Sequence, residues 1–67
     1  MNRNEIIKTL TESVKKNGTM PIVPFTIDDE TVTAIGMDSN EVCLMSDKWV
    51  FPLRELKLAE LSMVCKN

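Results

Sequence analysis

Any chemistry in this chain has to be done without histidine, because none occurs in its 67 residues. That removes the usual acid/base group near neutral pH and the commonest metal ligand. It also removes the Cys–His and Ser–His pairs that activate nucleophiles. The two cysteines, Cys43 and Cys65, stand far apart with no CxxC spacing, so they do not read as a zinc site. The acidic run Asp28-Asp29-Glu30 lacks the alternating ligands and central glycine of a calcium loop. Glycine occurs only at Gly18 and Gly36, which leaves no phosphate-cradling loop. The expectation is a chain that is not an enzyme and carries no cofactor or metal.

With catalysis set aside, charge and composition bear on partners. Residues 19–47 contain Asp28, Asp29, Glu30, Asp38, Glu41 and Asp47 with no Lys or Arg, while the stretches on either side are each net +2. Segregated charge of this kind favours head-to-tail complementarity between protomers, and its plainer reading is acidic turns between mildly basic ends. Nucleic acid is not an expected partner. The overall charge is −2, and the strand region has the wrong sign for phosphate. The exception is a small patch of Lys8, Lys15 and Lys16, which would serve the alternative of an accessory role near nucleic acid.

No apolar run reaches the roughly 18–20 residues of a membrane-spanning helix, and MNRNEIIKTLTES has no continuous apolar stretch of the secretory kind. Two reduced thiols in a cytoplasmic protein is therefore the reading, with one disulfide as its alternative.

The elements that would position any surface follow from periodicity. Asn2 with Glu5 three residues on resembles a capping box. Ile6, Ile7, Leu10 and Val14 then form one apolar stripe, and Asn17-Gly18 supplies a stop. From residue 19 the period becomes two. Pro21-Ile22-Val23-Pro24 is formally a PxxP ligand, but its β-branched residues and the apolar Phe25 and Ile27 after it predict an edge strand. TVTAIGM, EVCLMS and WVF follow as strands, separated by Asp/Asn/Ser breaks. Leu58, Leu61, Val64 and Cys65 at three- and four-residue spacing predict a C-terminal helix. The chain then reads as one small α+β domain over residues 1–67: an N-terminal helix, an antiparallel meander of three to four strands, and a C-terminal helix. The alternative is a small barrel in which SMVC forms a fifth strand.

Two-residue loops at Ser39-Asn40 and Asp47-Lys48 would fix the register. Met37 then faces Val42, Ile35 faces Leu44, and Leu44 faces Phe51. That side (Ile35, Met37, Val42, Leu44, Trp49, Phe51) suits a core beneath the N-terminal helix, with Trp49 as its largest residue. The other side holds Ala34, Gly36, Cys43, Met45 and Val50. A wet sheet face should be polar, and this one is apolar and mostly small, so it is expected to be covered. The stripe Leu58, Leu61 and Cys65 is one candidate cover and a second copy of the chain is the other. Cys43, Met45 and Val50 are the expected partner-binding residues, with a homodimer or another protein as the partner. The run IGMDSNEVCLMSDKWVFPLREL also resembles the meanders of SH3-like and related small sheets. That likeness is one of fold and implies no function.

Overall fold

A computed structural model describes residues 2–65 of the chain. The last position of the expected C-terminal stretch 57–66 lies outside them. Helix α1 spans Arg3–Asn17. Its start is the capping box read from sequence: the Asn2 side-chain oxygen accepts the Glu5 backbone N–H at 2.9 Å, and the Asn2 amide donates back to Glu5 Oε1 at 3.3 Å. At the other end Gly18 takes φ 79° and donates its N–H to the Val14 carbonyl at 2.7 Å. A side chain at that φ would be strained, which is why glycine ends the helix.

Four strands follow, β1 (Met20–Ile27), β2 (Glu30–Asp38), β3 (Glu41–Ser46) and β4 (Val50–Pro52), in one open antiparallel sheet of order β1-β2-β3-β4. Asp28 and Asp29, and again Ser39 and Asn40, all have positive φ. Two successive left-handed residues make the tight hairpin turn whose twist suits antiparallel strands, and Asp and Asn tolerate that geometry. In the third hairpin the Ser46 N–H donates to the Trp49 carbonyl at 2.9 Å, and Ser46 Oγ accepts the Trp49 N–H at 2.9 Å. These turns set the register expected from sequence: Met37 opposite Val42, Ile35 opposite Leu44, Leu44 opposite Phe51 and Met45 opposite Val50. β1 is an edge strand. Its pairing breaks between Pro21 and Phe25, where Pro24 offers no N–H to a ladder.

After β4 one turn of 3-10 helix, Leu53–Glu55, leads to helix α2, Leu58–Cys65. α2 has no Ser, Thr or Asp before it, and Glu60 makes up part of the deficit. Its carboxylate accepts the Lys57 N–H at 2.8 Å, which is half of a capping box. Arg3 joins the start of α1 to the segment that leads into α2. Its guanidinium donates to the carbonyls of Leu56 (2.9 Å), Leu53 (3.4 Å) and Arg54.

The core is one cluster beneath α1 and α2. Ile6 and Val14 come from α1, Ile35, Val42 and Leu44 from the central strands, and Leu61 and Val64 from α2. The expected C-terminal helix is present, while the barrel alternative, the core placement of Trp49 and one candidate cover for the second face fall away. Residues 58–65 are helical and the sheet is open, so there is no fifth strand and no barrel among the described residues. Trp49 is 59 % exposed and lies outside the core. Its indole N–H donates to Glu30 Oε1 at 3.1 Å, so the ring takes a polar partner and stands at the rim of the sheet. Lastly, the C-terminal stripe does not cover the second face. Leu61 and Val64 enter the same core as α1, whereas Leu58 and Cys65 face solvent.

Candidate functional site

Strand register places Cys43, Met45 and Val50 together. Pro21 pairs with Ala34, Ala34 with Met45, and Met45 with Val50. These four residues form one row that crosses all four strands on the face away from the helices. A second row runs beside it, with Gly36 opposite Cys43 and Cys43 opposite Pro52. Neither row contains an ionisable side chain other than the thiol. None of these residues belongs to the helix-packed core.

The face is partly closed by its own members. A Cβ built on Gly36 would lie 2.8 Å from Met45 Cε and 2.8 Å from Thr19 Oγ1. Met45 therefore folds back across Gly36, a position that needs glycine for the close approach. The Cys43 thiol has no exposed surface and points back to the Glu41 carbonyl at 3.5 Å. Burial, followed by the Asp38 and Glu41 carboxylates, pushes this thiol above its ordinary pKa. Above it at the end of the sheet, Arg54 Nε meets Glu41 Oε2 at 2.9 Å. Of the three residues expected to bind a partner, Val50 is exposed, Met45 is half-buried and Cys43 supports the surface from beneath.

A second feature adjoins this face at the outer edge of β4. A cleft of about 340 Å³ opens between the β1–β2 turn, β4 and the start of α2. Its floor is Ile27, Phe51 and Leu56, and its rim carries Asp28, Glu55 and Glu60 with Lys57 as its single cation. It runs into a shallower hollow lined by Asp28, Glu30, Trp49, Val50 and Phe51. Sequence reasoning noticed the acidic segment but not this assembly. Asp28 and Glu30 meet Glu55 and Glu60 only because the first hairpin turn lies beside the start of α2, and no local pattern encodes that. Among the described residues no group of His, Cys, Asp and Glu is arranged to hold a metal ion, and no helix is long and apolar enough to cross a membrane. No family model, curated protein or solved structure matches this chain.

Proposed function

We propose that the chain is a non-enzymatic association module whose partner is a second copy of itself, docked through the sheet face of Pro21, Ala34, Met45 and Val50. One observation carries this reading: an apolar row crosses the whole sheet on the side that neither helix covers. A solvated face of an antiparallel sheet is normally polar. The surface also suits self-packing, since the flexible Met45 adjoins small residues at Ala34 and Gly36, and a two-fold axis would set each Met45 against the partner's small positions. Four strands about 4.8 Å apart and two rows of side chains present roughly 300 Å² per protomer. A standard interface has about 800 Å² per partner. The dimer is therefore expected in the weak, concentration-dependent class. The cytoplasm is the proposed location, on the grounds of two unbridged cysteines.

Light scattering behind gel filtration, over a wide concentration range, tests the reading. The mass should rise from 7.6 kDa toward twice that value. Met45→Lys should hold it at the monomer while the circular dichroism spectrum stays native. A wild-type chain that remains monomeric at millimolar concentration would sink the proposal, and so would a Met45→Lys chain that still dimerises.

A further inference from the structure

The cleft beside β4 carries an inference beyond self-association, which uses the outward backbone of Val50 where the dimer face uses its side chain, and it begins with that backbone. The Ser46 N–H donates to the Trp49 carbonyl, so these two residues stand at a hydrogen-bonded position of the ladder, although the Trp49 N–H goes to Ser46 Oγ and not back to the Ser46 carbonyl. Such positions alternate with non-hydrogen-bonded ones along an antiparallel ladder, so Met45 and Val50, the next pair, are non-bonded. The N–H and C=O of Val50 therefore point away from β3, toward the open edge. β4 is the last strand of the sheet, and Pro52, the next residue to point outward, has no N–H. The edge thus offers one complete donor–acceptor pair, at Val50, and Val50 lines both the cleft and the hollow beside it.

The side chains around that pair have a definite charge. Asp28, Glu30, Glu55 and Glu60 line it with Lys57 as the one cation of the lining; Glu55 is also 3.8 Å from Arg54 Nη1, so Asp28, Glu30 and Glu60 carry the acidic character of the rim. Trp49 stands at the same rim with its indole N–H held by Glu30. That bond fixes the ring and leaves most of its surface open. A fixed, exposed indole beside carboxylates is a platform for a guanidinium or an ammonium group.

We infer that the β4 edge and its cleft bind an extended, cationic peptide segment of another protein, which adds to the sheet at Val50 and places an arginine or lysine over Trp49. Strand addition supplies the backbone pairing. The acidic rim selects positive side chains at alternate positions, and the floor of Ile27, Phe51 and Leu56 takes the apolar ones between. Because β4 offers only one outward pair, side-chain charge contributes much of the affinity, and binding falls as salt rises. Nucleic acid is repelled by the same carboxylates.

Trp49 is the only tryptophan in the chain, so its fluorescence reports on the site directly. The probe is the blocked peptide Ac-Val-Arg-Val-Arg-Val-amide. Two controls accompany it, one with glutamates for the arginines and one with prolines for the valines. The proline peptide keeps the charge but cannot pair as a strand. A saturable change with the first peptide alone is expected, weakening several-fold between 50 and 300 mM salt. Equal binding of the proline peptide would remove strand addition, equal binding of the glutamate peptide would remove charge selection, and no saturable change would end the proposal. With a fluorescein-labelled peptide read by anisotropy, Trp49→Leu and Glu30→Gln should each weaken binding at least fivefold. Met45→Lys, on the other surface, should leave it unchanged. Unaltered binding by Trp49→Leu would also overturn the assignment.

Discussion

Leu44 and Met45 are neighbours on β3 that point to opposite faces of the same sheet, and their surroundings differ in kind. Leu44 has no exposed surface and sits among Ile35, Val42, Leu61 and the α1 residues Ile6 and Val14. Met45 is half-buried and folds over Gly36. The helix-covered face is made of large branched side chains that fill the space between two layers. The other face is small (Ala34, Gly36, Cys43) and closes on itself through one flexible methionine. An apolar pattern on both sides of a strand therefore does not imply two cores. The volume of the side chains decides which face can bind a helix, and a face of small residues remains open to a flat partner.

The sharpest way to break this contrast is to truncate both neighbours. Leu44→Ala should cost about 2–5 kcal/mol, the range for a large-to-small change in a packed core. For a domain this small that is a large share of the total, so much of the variant should be unfolded without denaturant. Met45→Ala removes a half-buried side chain with little cavity behind it and should cost about 1 kcal/mol. Urea midpoints for the two variants measure the difference. Equal losses would mean that the second face is as well packed as the first, leaving no surface there for a partner.

Gly36→Ala tests the self-closure more locally. The added methyl meets Met45 Cε and Thr19 Oγ1 at distances no side chain tolerates. Met45 can swing aside, so the change should cost about 1 kcal/mol and expose Met45. In the Met45→Ala background the same substitution should cost less, because the methionine contacts are gone and only Thr19 Oγ1 remains to shift. A coupling of at least about 0.5 kcal/mol in the double-mutant cycle is the expected outcome. Strict additivity would place the Met45 side chain somewhere other than over Gly36.

Much of this architecture is legible in the chain because it is local. The α1 cap needs only Asn2 and Glu5, its stop only Gly18, and the register of β2, β3 and β4 only two-residue turns at Ser39-Asn40 and Asp47-Lys48. Given those turns, the grouping of Cys43, Met45 and Val50 on one face follows from alternation alone. What the sequence does not encode locally is the direction in which α2 returns. Its stripe of Leu58, Leu61, Val64 and Cys65 is compatible with either face. Leu53, Leu56 and the contacts of Arg3 with three backbone carbonyls bring it back under α1. Trp49 departs from the place its sequence position suggests for a related reason. Its parity points to the core side, but it stands just before β4, at the rim of the sheet, where Glu30 takes its N–H. The acidic cleft depends on that same tertiary arrangement, since its carboxylates come from segments more than twenty residues apart in sequence.

The smallest effect expected is also the most specific to the second face, and it concerns Cys43. Its pKa is raised first by burial and then by Asp38 and Glu41, while Arg54 acts in the opposite sense. The folded chain thus holds this proton more tightly than the unfolded one. Wherever the unfolded state binds fewer protons, stability falls as pH rises. The contribution is therefore complete below the ordinary thiol pKa and declines as pH climbs past it toward the raised folded value. Urea midpoints between pH 7 and pH 10 should fall more steeply for the wild type than for Cys43→Ala, and the difference isolates this group from the lysines. Arg54→Gln removes the one cation that lowers the thiol pKa, so its alkaline decline should continue to higher pH than the wild type's. Thiol labelling gives a parallel measure. Cys65 is exposed and should react with a disulfide reagent at once, whereas Cys43 should react only at the rate at which the sheet opens. Fast labelling of both thiols in the folded chain would show that Met45 and the Glu41–Arg54 pair do not seal the second face, and that a partner would meet the thiol directly.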